Sequence, residues 1–162
     1  MTYKTSLDDT AKVITVFVTV LFAVIIGGQF VIVKAENHAV PIYTTVGCLL
    51  IYLIAYIFHP VSYIVTKDEL VIHRPVSNVH FKRSDIKTVE LLQKQKIRGS
   101  IRIMGIGGLF GYYGIFANFS IGRMVWYATR RDNPVLIRTI NNKKIVLTPD
   151  EPGELVRALS AT

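Results

Sequence analysis

The sequence predicts a hairpin of two membrane-spanning helices, then a small, curved, mainly β domain closed by a C-terminal α-helix. Three observations predict it. Val13–Val33 and Val40–Phe58 carry no charged residue. At about 1.5 Å per residue those runs reach roughly 31 and 28 Å, against a hydrocarbon core about 30 Å thick. From Ser62 the apolar residues recur at every second position in short runs bounded by turn residues, the pattern of half-buried strands. The last segment returns to helical spacing, with Leu155 and Leu159 one turn apart behind Pro149 and Pro152.

Charge separates the two halves. The chain has 162 residues and a net charge of +8, and residues 1–58 are balanced, with Lys4, Lys12 and Lys34 against Asp8, Asp9 and Glu36. The whole excess lies after the second apolar run. The loop between the runs holds one Lys, whereas Lys4, Lys12, Lys67, Arg74, Lys82 and Arg83 flank their other ends. Lys and Arg stay on the cytoplasmic side, so both termini are expected there and the loop outside. The expected division is a cytoplasmic tail at 1–12, transmembrane helices at 13–33 and 40–58, an external loop at 34–39 and the β domain at 62–160. Asp8, Asp9 and the length of the first run argue against a cleaved leader. Cys48 is the sole cysteine, so no intrachain disulfide is expected.

The first helix is rich in Val, Ile and Thr, weak helix formers in water. Lipid removes the alternatives, because unpaired backbone groups are too costly there. Gly27, Gly28 and Gly47 are expected where helix backbones approach closely, within the hairpin or against another copy. Pro41 suits the first turn of the second helix, and Tyr43, Tyr52, Tyr56, Phe58 and His59 suit an interfacial aromatic belt. His59-Pro60 ends that helix.

Strands follow at 63–65 and 70–73 around Lys67-Asp68-Glu69, then at 79–81, 86–92 and 101–104. Two more, 116–121 and 123–129, flank Gly122, and 135–140 and 144–147 are joined by Asn141-Asn142, a good hairpin turn. The reading is of about seven short strands at roughly 8–12-residue spacing. Such a meander hides its edges by curling, and a C-terminal helix would cover the open end. Thr148 or Asp150 is expected to cap that helix.

The run Tyr63-Ile64-Val65-Thr66-Lys67-Asp68-Glu69-Leu70-Val71-Ile72, then Ile86-Lys87-Thr88-Val89, resembles the bacterial pleckstrin-homology-like (bPH) membrane proteins. The Gly-rich segment Arg102–Gly114, Tyr127-Ala128-Thr129 and the closing Ile145–Asp150 are similar to one branch of that family. The resemblance covers Ser62 to Leu159. It implies a PH-like split barrel and no particular ligand, and no binding residue is carried over from it.

The chemistry-bearing residues exclude more than they assign. Gly105, Gly107, Gly108, Gly111 and Gly114 invite a phosphate-loop reading, but the G-x-G-x-x-G spacing fails at Phe110 and no Gly-Lys-Ser/Thr follows. The segment reads instead as a permissive excursion between strands. Its apolar residues Ile106, Leu109, Phe110, Tyr112 and Tyr113 would pack as a lid on the barrel or dip into the membrane interface. Lys94, Lys96, Arg98 and Arg102, with Arg130 and Arg131, form the expected contact surface for anionic headgroups or an acidic partner, at about 1 kcal/mol per cation near the lipid. No catalytic residue, cofactor site or metal set is expected. His38, His59, His73 and His80 have no Cys or carboxylate at ligand spacing. No nucleic-acid motif is present.

The expected function is therefore non-catalytic. A cytoplasmic PH-like module, anchored in the bacterial inner membrane, recognises a protein segment, another copy of itself or an anionic lipid surface. The alternative is a structural subunit of a homo-oligomer or a transporter-type complex assembled through the two helices.

Overall fold

The structure, a computed structural model, describes residues 1–32 and 39–161. The expected external loop lies outside the described residues, apart from Ala39, which opens the second helix. The elements are β1 (Thr2–Lys4), α1 (Asp9–Ile32), α2 (Ala39–Phe58), β2 (Ser62–Val65), β3 (Glu69–His73), β4 (Val79–Lys82), β5 (Ile86–Leu91), α3 (Lys94–Ile97), β6 (Ile101–Gly108), β7 (Gly111–Asn118), β8 (Gly122–Ala128), β9 (Val135–Thr139), β10 (Lys144–Leu147) and α4 (Pro152–Ser160).

Two sheets form an open, PH-like sandwich. One runs β1-β2-β3-β4 and the other β5-β9-β10-β8-β7-β6. β10 pairs antiparallel with β9 and parallel with β8. The main core lies between the sheets and under α4, where Tyr63, Leu70, Ile72, Val135, Ile137, Ile145, Leu147, Leu155 and Leu159 are buried. A second core covers the opposite face of the six-stranded sheet, with Leu92, Ile97, Tyr112, Phe116, Met124, Trp126, Ala128, Leu136 and Val146. Central strands β9 and β10 are thus buried on both faces, which is why they read as continuous apolar runs rather than alternating ones.

Four expectations change. The N-terminal segment is a strand and not a tail: Tyr3 sits opposite Tyr63 in the ladder and is buried in the main core. Helix α1 also starts earlier than expected, because the Asp8 carboxylate accepts the Ala11 N–H at 2.7 Å and so caps its first turn. The Gly-rich excursion is a long hairpin, β6–β7, paired from Ile101↔Ala117 to Gly108↔Gly111. With β1 added to the nine runs read one by one, the strands number ten among the described residues, against the expected total of about seven. Finally, neither expected residue caps α4. Its N-cap is Glu151, without a side-chain bond. Asp150 instead accepts the Ser6 N–H (3.0 Å) and hydroxyl (2.6 Å), and the Thr148 hydroxyl accepts the Thr129 N–H. The N-terminal segment takes Asp150, and the residue after β8 takes the Thr148 hydroxyl.

Helices α1 and α2 leave most of their apolar side chains exposed, Val13, Phe17, Val24, Leu49, Ile51 and Leu53 among them. Glycines do not join them: a side chain at Gly27, Gly28 or Gly47 would meet nothing within 4 Å. Polar ties do, from the Gln29 amide to Thr45 Oγ1 (2.8 Å) and the Pro41 carbonyl (3.1 Å), and between Thr19 and Tyr52 (3.0 Å).

Candidate functional site

The segment that crosses from β5 to β6 builds the site. These two strands are opposite edges of the six-stranded sheet, so residues 92–100 must pass over its face. Leu92 and Ile97 anchor the crossing in the second core. Between them, Lys94, Gln95 and Lys96 have no apolar side chain to bury and stay exposed, as does Arg98. On the same face, Leu7 and Ala11 bring in the start of α1. The crossing leaves part of the sheet uncovered, and the result is a cleft of about 530 Å³ lined by Lys94, Gln95, Ile97, Arg98, Gly99, Ser100, Trp126 and Arg131.

Its floor is Trp126. The indole stacks on Phe116 at 4.5 Å between centroids and is only 2% exposed. Gly114 is its direct partner in the ladder. The indole N–H has no hydrogen-bond partner among the described residues. The rim is cationic and holds no carboxylate. Arg131 is fixed on two sides: its guanidinium lies 4.4 Å above the Tyr112 ring, and its backbone N–H donates to Asp8 at 3.1 Å. Tyr112 in turn donates to the other Asp8 oxygen at 3.1 Å. Burial foremost, with the Asp8 charge beside it, pushes the Tyr112 hydroxyl up to about 12, so it stays a proton donor across the physiological range.

Three of the six expected contact cations meet at this cleft: Lys94, Arg98 and Arg131. Lys96 is exposed beyond it, its carbonyl accepting from Asn118 at 2.8 Å. Arg102 lies along β6, its guanidinium close to Gly107. Arg130 is committed elsewhere, to Asp150 (3.2 Å), Asp132 (3.4 Å) and the Ser6 hydroxyl (2.9 Å), and so pins the N-terminal segment to the domain. Trp126 escaped the sequence reading. Its one signal was being the sole tryptophan, and nothing local told that it would form the floor of a cleft.

The apolar residues of the Gly-rich segment have another destination. The tip of the β6–β7 hairpin is held by the two long helices. The Phe110 N–H donates to Thr15 Oγ1 of α1 at 3.0 Å. The Phe110 ring lies 5.0 Å from Tyr52, 5.6 Å from Tyr56 and 5.7 Å from His59, all at the C-terminal end of α2. The buried Tyr113 hydroxyl donates to the Ala55 carbonyl. Tyr112 points the other way, into the second core, with Leu109 buried and Ile106 half-buried. Glycine is required at the tip: Gly108 has φ +121°, and a Cβ there would fall 2.5 Å from Ile14 of α1.

Among the described residues no group of three or more metal-ligating side chains occurs. His80 bonds Glu69 at 2.8 Å and His73 bonds Asn78 at 3.0 Å.

Residues 61–162 match a family model described as a bacterial PH domain. The chain belongs to that family. No curated protein and no solved structure matches it. The matched span of the bacterial PH domain contains the cleft, its three cations and Trp126. It leaves out β1, which completes the four-stranded sheet, and both long helices.

Proposed function

We propose that this chain is a membrane-anchored, non-catalytic recognition module that reads the anionic surface of the bilayer holding it. Helices α1 and α2 are the anchor, long and apolar enough to span and largely bare of protein contacts. Both helix ends that meet the domain lie on one side. With Lys and Arg concentrated there, that side is cytoplasmic, the membrane is the bacterial inner membrane, and both termini are inside.

One observation carries the reading: two of the three cleft cations, Lys94 and Arg131, lie at the foot of α1. Leu7, Asp8, Asp9, Thr10 and Lys12 share a second concavity with Lys94, Arg130, Arg131 and Asp132, four cations against three carboxylates. The charge-free run begins at Val13, so Asp9 lies about 6 Å of helix from it. That is within one Debye length, about 8 Å in physiological salt. The joints at Asp8, Thr15 and Phe110 fix the domain in that pose, so the cations face lipid without a search.

The test uses the full chain in nanodiscs of phosphatidylcholine containing a minority of phosphatidylglycerol, with the lipid retained by the protein read by native mass spectrometry. We expect enrichment of phosphatidylglycerol that falls with added salt and falls severalfold in Lys94→Gln/Arg98→Gln. Equal retention of the two lipids would overturn the reading.

A second reading has its own observation. Edge strand β6 exposes Ile101, Ile103 and Met104 at 69%, 59% and 67%, beside an unpaired backbone edge. Such an edge pairs readily with another chain, as a structural subunit of a homo-oligomer or transporter-type complex would require. Stoichiometric cross-linking of native membranes through a cysteine at position 103 decides for that reading.

A further inference from the structure

We propose that the cleft under α3 is a defined site for a single phosphate-class oxyanion, a phosphate mono- or diester, with the Trp126 N–H as its neutral donor and Arg98, Arg131 and Lys94 as its cations. The proposal rests on the surface-recognition reading and sharpens it from a diffuse charged face to one built pocket.

Three observations converge. The first is the unpartnered indole. A buried N–H without an acceptor costs about 1–3 kcal/mol, and native proteins seldom leave one. The side chains around this ring are apolar: Leu92, Ile97, Phe116, Met124 and Ala128 belong to the same cluster. None of the described protein groups supplies an acceptor, and the ring lines the cleft, so a small local opening there is the route by which a bound group would reach the N–H. The second is the sign of the lining. Three cations and two neutral polar residues, Gln95 and Ser100, surround the opening, with no carboxylate among them. The ion pairs among the described residues engage none of the three, although Asp8, Asp9 and Asp132 line the neighbouring concavity beside Lys94 and Arg131. The third is preorganisation. Arg131 is held over Tyr112 and by Asp8, and a planar guanidinium so fixed suits bidentate contact with a phosphate. Lys94 and Arg98 are exposed and free to close over a bound group. A volume of about 530 Å³ suits a phosphate with its glycerol or sugar.

A lipid headgroup and a soluble phosphate ester share this chemistry. The experiment separates them, and the sole tryptophan is its own reporter. Trp126 emission of the full chain is followed in phosphatidylcholine nanodiscs while glycerol 3-phosphate or inorganic phosphate is added, at ionic strength matched with chloride. The same emission is then compared across discs of rising phosphatidylglycerol content. A saturable change with a soluble phosphate supports the site and assigns it a soluble ligand. A saturable change with phosphatidylglycerol alone supports the site and assigns it a headgroup. In either case Arg98→Gln is expected to weaken the apparent affinity about tenfold. Trp126→Phe, followed by calorimetry, is expected to weaken it severalfold while the variant, with a smaller ring against Phe116, still unfolds cooperatively at a somewhat lower Tm.

A response no different from chloride, or binding unchanged in both variants, overturns the site. The two proposals then fail separately. Phosphatidylglycerol enrichment that persists without any Trp126 response leaves the surface reading standing without a pocket. Loss of enrichment as well removes both.

Discussion

Tyr3→Ala tests whether residues 2–11 belong to the folding unit of the domain or hang from it. Tyr3 is 8% exposed and packs in the main core with Tyr63 and Val65. Aromatic-to-alanine changes in cores cost about 3–5 kcal/mol. Here an edge strand of three residues carries the side chain, so β1 can detach before the rest yields, which places the effect toward the lower figure. What resists detachment is spread along the segment. Val65 N–H donates to the Met1 carbonyl (2.8 Å), Asp150 N–H to that of Lys4 (3.0 Å), and Thr5 Oγ1 to that of Thr148 (2.8 Å). At about 2–4 °C per kcal/mol for a chain of this size, Tm should fall by roughly 6–12 °C. The assay is thermal unfolding of the full chain in nanodiscs, with hydrogen exchange at Val65 read in parallel. Lys4→Ala is the control, its side chain exposed on the same strand. A Tm loss under about 1 °C, or one matched by Lys4→Ala, would show that β1 is not part of the cooperative unit.

Two further outcomes follow from buried tyrosines. Tyr63 donates to the Tyr127 carbonyl (2.6 Å) and accepts the Thr148 N–H (3.2 Å), so Tyr63→Phe strands both; we expect a loss of about 2–4 kcal/mol in denaturant unfolding, and a loss under about 0.5 kcal/mol would show that they find other partners. Burial raises the Tyr63, Tyr112 and Tyr113 hydroxyls, Tyr112 to about 12. Their folded-state values exceed the unfolded one, about 10, so their contribution is fully present below pH 10 and is lost as pH rises through the folded values. The denaturation midpoint should therefore be flat from about pH 8 to 9.5 and fall toward pH 12, and an unchanged midpoint there would contradict the burial.

The helices and most strands were legible because each carries its own periodicity. Val13–Val33 and Val40–Phe58 announce length, and Leu155/Leu159 announce a buried stripe. What escaped depended on partners distant in sequence. Nothing within Thr2–Lys4 reveals that Ser62–Ile64 will pair with it. The Gly-rich segment looked irregular because Gly105, Gly108, Gly111 and Gly114 weaken any strand pattern, yet all four have positive φ and lie within one tightly paired hairpin. The cations were found by composition, but composition could not sort Arg130, spent on Asp150 and Asp132, from Arg131, stacked on Tyr112. That distinction depends on how Asp8 and Ser6 return to the end of β8.

The family match begins at residue 61, but the physical domain does not. Tyr3 fills part of its core, Asp8 caps α1 while holding Arg131, and Thr15 and Ala55 hold the hairpin tip. A chain cut at residue 61 would expose the Tyr63 edge of β2 and the Phe110 tip together, and would lose the Asp8 contact that positions a cleft cation. The two helices therefore pack on the domain as well as forming the proposed anchor. Helix α1 meets the domain at Asp8 and again at Thr15 on the hairpin tip, and Arg131 of the cleft is bonded through its backbone to the same Asp8. The proposed recognition at the cleft therefore shares Asp8 with the start of α1, which is why the tests above use the whole chain in a bilayer.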